Sequence, residues 1–158
     1  MTIFRCLLAI MLIACASVSH AQARWGQAIF ASEKDRTAQG CAAKFTDDSY
    51  FCIYVRCEAS KVLGLYLANP GPGMPSPFRI SIDGREHMIT MSIKPNETDL
   101  PYVERVLNPS VAMMNDLRSG KELRVLEKTF KRGVDRVSLA GAGPAIERVE
   151  RYCNAAKT

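Results

Sequence analysis

At 158 residues, with 47% hydrophobic and 23% charged side chains and a formal net charge of +5, the chain has the length of one domain with a single core. The mild cationic excess admits weak attraction to anionic envelope polymers. It excludes a nucleic-acid binder, which needs a clustered basic stripe with aromatics interleaved.

Residues 1–23 read as a secretory signal: a short n-region ending in Arg5, an apolar h-region over 7–14, and an A-x-A site at Ala21-Gln22-Ala23, with Ser19-His20-Ala21 as the alternative. The apolar run is shorter than the roughly 20 residues that span a bilayer, so the mature chain is expected to have no transmembrane helix. A second reading takes Leu12-Ile13-Ala14-Cys15 as a lipoprotein box, with Cys15 lipidated and anchoring the protein. Either way residues 24–158 form a single β-rich domain, periplasmic or secreted, with Cys41, Cys52, Cys57 and Cys153 as its cysteines. An even count in a small exported domain reads as two disulfides. Zinc fits poorly, because no C-x-x-C pair exists and His87 is the sole mature histidine.

Residues 24–31 (R-W-G-Q-A-I-F-A) predict a first strand with Trp25 and Ile29 on one face, and residues 32–40 a polar loop. Asp47-Asp48-Ser49 marks a turn. Residues 49–69 predict a β-hairpin broken at Glu58-Ala59-Ser60-Lys61. Phe51, Ile53, Val55 and Cys57 share its core face, and Tyr50, Cys52, Tyr54 and Arg56 share the other. Cys52 and Cys57 therefore point apart and do not bond each other. On the return strand Leu63, Leu65 and Leu67 join the core, with Gly64 opposite them where a small residue admits close packing.

Residues 69–77 (N-P-G-P-G-M-P-S-P) form a stiff loop. Phe78, Ile80 and Ile82 then alternate with Arg79, Ser81 and Asp83, and Asp83-Gly84 supplies a two-residue turn. The return strand carries Ile89, Met91 and Ile93, with His87 in register and read as a structural residue. Asn96-Glu97-Thr98 matches a glycosylation sequon by chance. Residues 102–107 predict a strand. Asn108-Pro109 predicts an N-cap and first helical residue, Val111, Met114 and Leu117 a buried helical face, and Gly120 the stop.

Residues 121–131 alternate as a charged strand, read as an edge, and Lys128, Lys131 and Arg132 form the densest basic patch. Val137 and Leu139 mark a short strand. A glycine-bearing turn leads into a last helix opened by Pro144, with Ile146, Val149 and Cys153 on its buried stripe and Glu147 and Arg151 on its exposed side. Cys57 and Cys153 both lie on core faces, which pairs them and leaves Cys41 with Cys52. The fold expected is a β-rich α+β body: an antiparallel β-sandwich or curved sheet with two short helices, the C-terminal helix stapled to the sheet.

Residues 117–125 (L-R-S-G-K-E-L-R-V) resemble an "L-x-x-G-K-x-L-x-V" step. Val137-Ser138-Leu139-Ala140-Gly141, followed by Ala145-Ile146 and Val149, resembles an "S-L-x-G-x-x-x-A-hydrophobic" ending. Both are similar to the invasion-associated locus B family of small periplasmic proteins, although Ala142 stands where that ending usually carries phenylalanine. The resemblance spans roughly residues 109–153. It implies a β-rich bacterial envelope protein, sometimes linked to host-cell entry, and brings no active-site residues.

The chain carries no G-x-S-x-G, H-E-x-x-H or metal-ligand spacing, so a non-enzymatic protein without metal or cofactor is expected. Its partner would be a protein or an anionic envelope polymer, met through Tyr50, Tyr54, Arg56 and the Pro/Gly loop, since Tyr and Arg favour interface centres. A secreted inhibitor of a hydrolase such as lysozyme is the alternative, against which stands the repulsion between two cationic proteins. A hydrolase would have to draw on His87 with Asp83, Glu86 or Asp99.

Overall fold

The computed structural model describes residues 25–27, 33, 35–43, 50–68, 76–92, 103–127 and 135–155. The signal segment, Cys15, Ile29, the Asp47-Asp48-Ser49 turn, the loop up to Pro75, Ile93, Asn96, Asp99 and the Lys128, Lys131, Arg132 patch lie outside them.

In chain order the elements are β1 (Gly26–Gln27), β2 (Thr37–Cys41), β3 (Cys52–Cys57), β4 (Leu63–Ala68), β5 (Phe78–Ile82), β6 (Arg85–Ile89), β7 (Val103–Arg105), α1 (Val111–Ser119), β8 (Glu122–Val125), β9 (Arg136–Ser138) and α2 (Ala142–Ala155). They make two antiparallel sheets, ordered β1-β2-β3-β4-β7 and β6-β5-β8-β9. Single bridges join the sheets at both sides, Ala42 to Val137 and Met91 to Val106. The second sheet thus continues from the first at either end, as in packings where strands turn the corner between sheets. The inner faces of both, with α1 and α2, enclose one apolar cluster including Phe51, Ile53, Val55, Leu65, Leu67, Phe78, Ile80, Ile82, Met113, Ile146 and Val149.

The period-two reading of the central hairpin holds. Ile53 pairs with Leu67 and Val55 with Leu65 on the core side. Gly64 is required by what lies over it: a Cβ there would collide with Glu58 Oε1 and sit 2.6 Å from the Tyr66 ring. The Asp83-Gly84 turn holds too, with φ of 48° and 87° at its two central residues, the pair of positive values that a two-residue type I′ turn needs.

Three expectations need correction. The stretch read as a polar loop over 32–40 contains β2, which forms because β1 and β3 pair with it on either side. Gly40 lies under the Trp25 indole, where a Cβ would collide with the ring at Nε1, and that nitrogen donates to Ser138 O at 2.9 Å. The strand read as an edge, β8, runs between β5 and β9, so the edge strands of its sheet are β6 and β9. Its charges occupy the solvated outer face instead.

The first helix starts two residues later than expected. Asn108 adopts φ 46°, and Ser110 is the N-cap, its Oγ accepting from Met113 N at 3.1 Å. The buried stripe is Met113, Asp116 and Leu117, and Val111 is 78% exposed. The last helix begins at Ala142, ahead of Pro144, and buries Ile146, Val149 and Cys153 as expected.

Candidate functional site

Both disulfides pair as the faces dictate. Cys41 and Cys52 stand directly opposite in the β2–β3 register with Cα atoms 4.0 Å apart, and Cys57 joins Cys153 of α2 across 5.4 Å. All four cysteines are buried. The covalent frame therefore ties β2 to β3 and the last helix to the central hairpin.

Two residues of the expected contact surface lie inside the fold, and most of its Pro/Gly loop lies outside the described residues. Tyr54 and Arg56 are buried and Tyr50 is half-buried. Their side of the first sheet forms a second cluster with Cys41, Cys52, Tyr66, Ala68 and Val103. Period two separates the two faces of a strand but is silent on whether both become covered. Several polar groups on this side bond one another. Arg56 meets Glu33 through two bonds, Nε to Oε2 at 2.6 Å and Nη2 to Oε1 at 3.0 Å, and Thr37 Oγ1 donates to the same carboxylate at 2.7 Å. Glu58 accepts from the Tyr66 hydroxyl at 3.0 Å and from Arg105 Nε at 2.6 Å.

The titrations follow from that packing. Burial pushes the Tyr54 and Tyr66 phenols up to about 12, with Glu58 beside Tyr66 adding to the second. Burial also works to raise the Glu33 carboxyl, but hydrogen bonds from Arg56 and Thr37 and the Arg56 charge outweigh it and hold it below the usual range. These are the signatures of a closed structural network, in which each charge is paired before it is removed from water.

Among the described residues Val62 and Tyr152 are exposed at the β3–β4 turn and on α2, and a further set open to contact lies on β6, after β7 and on α1. His87 projects from the core-facing side of β6, half-buried, and its Nε2 lies 2.9 Å from Asp116 Oδ2 on α1. The other oxygen of Asp116 accepts from Arg85 at 2.5 Å. A carboxylate only accepts, so His87 presents Nε2–H to it. This buried Asp116 pins α1 to β6. Proximity along the chain suggested other partners for His87: Asp83 instead accepts from the backbone of Lys121 and Glu122, and Glu86 pairs with Arg79. The signal for Asp116 was its place three residues after Met113 and one before Leu117 on a buried stripe.

On the face of β6 opposite His87, Met88 is 62% exposed; Leu107 at 40% and, on α1, Val111 at 78% also face solvent. Leu107 N donates to Thr90 O at 2.7 Å, so Leu107 stands across from Thr90 and diagonally from Met88. Val111 follows on the first turn of α1. A separate groove of about 400 Å³ lies between the β3–β4 turn and the end of α2, lined by Lys61, Val62, Leu63, Glu150, Cys153 and Asn154. Its Glu150 is engaged by Arg118. Among the described residues no group of three His, Cys, Asp or Glu side chains is arranged to hold a metal ion, and no helix is long and apolar enough to cross a membrane. No family model, curated protein or solved structure matches this chain.

Proposed function

We propose that this is an exported bacterial envelope protein that acts by non-covalent contact with a partner protein, through the corner formed by β6, Leu107 and the start of α1. The observation that carries this reading is the exposure of Met88, Leu107 and Val111 on segments that hydrogen bonds and ion pairs hold in place. Met88 and Leu107, diagonal neighbours on one face, set exposed apolar side chains together on a rigid frame, as interaction sites do more often than isolated ones. Two buried disulfides fit an oxidising compartment outside the cytoplasm. The resemblance of residues 109–153 to the invasion-associated locus B proteins points to the same setting.

The test is a crosslinking pull-down from bacterial envelope extract with the oxidised protein, at low and high salt, beside a Met88→Asp/Val111→Asp variant. The expected result is a protein retained at high salt, crosslinked within residues 85–90 or 107–111, and lost with the variant. Capture of anionic polymer alone, released as salt rises, would reduce the function to electrostatic adhesion.

A further inference from the structure

We infer that the open edge of β6 takes an extended segment of the partner protein as an added strand, an inference that rests on the contact reading above and specifies its chemistry. The backbone comes first. The Asp83-Gly84 turn closes on the Ile82–Arg85 pair, and the β5–β6 register continues through Ile80–His87 and Phe78–Ile89. In an antiparallel pair with a two-residue turn, the pair flanking the turn exchanges both hydrogen bonds, and the alternation that follows is fixed. Arg85, His87 and Ile89 therefore turn their N–H and C=O groups toward β5. Glu86, Met88 and Thr90 turn theirs outward. The bond from Leu107 N to Thr90 O confirms that direction independently.

The outer edge of β6 is thus used at Thr90 and vacated before Met88. The reason lies in the chain that would have continued the pairing. After Leu107 comes Asn108, whose φ of 46° turns the backbone off the edge, and then Pro109, which has no N–H to offer. β6 is a terminal strand of its sheet, and among the described residues no strand lies against Glu86 and Met88. An open edge presents donors and acceptors at strand spacing, and the complement to that pattern is another extended backbone. An apolar face alone would not specify its occupant; this edge does.

The side chains narrow the class further. On the outer face Met88 is 62% exposed next to Leu107, which calls for an apolar residue opposite Met88. Glu86 keeps a side chain 58% exposed, with Arg79 at 3.4 Å, which favours a basic residue two positions along the incoming strand. The occupant is an extended segment with an apolar and a basic residue at alternate positions, abutting Leu107.

The experiment selects linear peptides from a phage-displayed random library on the oxidised protein and follows backbone amide exchange in the bound state. The expected result is peptides of the apolar-x-basic pattern that slow exchange at the Glu86 and Met88 amides by about tenfold or more. Met88→Pro removes one outward N–H without touching the β5 ladder. It should weaken binding by at least about tenfold, and Met88→Ala by less. Amide exchange on the unaltered protein decides the matter even if the proline variant does not fold. Peptides that bind but protect other amides would overturn strand addition and leave the contact reading standing. Strand addition is likewise overturned, and the contact reading kept, if no peptide binds while the corner-dependent pull-down succeeds. Failure of both experiments would overturn both.

Discussion

Replacing Cys57 and Cys153 with alanine removes a link between residues separated by 96 positions, whereas replacing Cys41 and Cys52 removes one spanning 11. In the chain-entropy description, cross-linking stabilises by restricting the unfolded chain, and the restriction grows with the logarithm of loop length. The long link is then worth about 4.7 kcal/mol and the short one about 2.8 kcal/mol. All four cysteines are buried, so the loss of packed sulfur is similar in the two double variants and largely cancels between them. The remaining difference of about 2 kcal/mol is the loop contribution. Urea unfolding of the three proteins, analysed as free energies because the denaturant slope itself changes when a cross-link is lost, measures it. Equal losses, or a larger loss from Cys41→Ala/Cys52→Ala, would refute the loop-entropy reasoning and place the stabilisation in the native packing around each bond.

Removing Arg56 leaves the Glu33 carboxylate buried without its counter-charge, so Arg56→Ala should cost about 3–5 kcal/mol in urea unfolding, much of it recovered when Glu33→Ala is added. Glu33 is held below its ordinary value of 4.5, so its contribution is complete above that value and is lost as pH falls through the depressed folded value. A stability profile taken downward from pH 6 should be shallower in Glu33→Gln; an unchanged slope would remove Glu33 from the account. Gly64→Ala drives a methyl group into Glu58 Oε1 and should destabilise by about 1–3 kcal/mol, read as a lowered thermal midpoint. Ser110→Ala removes the acceptor for Met113 N and should cost about 1 kcal/mol, with the loss of protection confined to the first turn of α1 in amide exchange.

Local and periodic features were legible in the chain alone. Alternation along residues 50–57 placed Cys52 and Cys57 on opposite faces, and helical spacing placed Cys153 beside Ile146 and Val149. Those two facts were enough to pair the cysteines, because a side chain's direction depends on its neighbours in the chain. The Asp83-Gly84 turn was legible for the same reason, since its two positive φ values are a demand on two adjacent residues. Tertiary structure decided what depends on long-range company. Thr37 to Cys41 has little strand character, yet becomes β2 because two strands flank it. Tyr54 and Arg56 vanish from the surface because the outer side of the first sheet is also covered, with Glu33 meeting the Arg56 guanidinium from a distant segment. His87 finds Asp116 rather than a carboxylate near it in sequence, because the packing of Met113 and Leu117 in the core turns Asp116 toward β6. The open edge of β6 belongs to this second kind. A strand's sequence encodes its two faces, but only the path of the rest of the chain determines which of its edges is left unpaired.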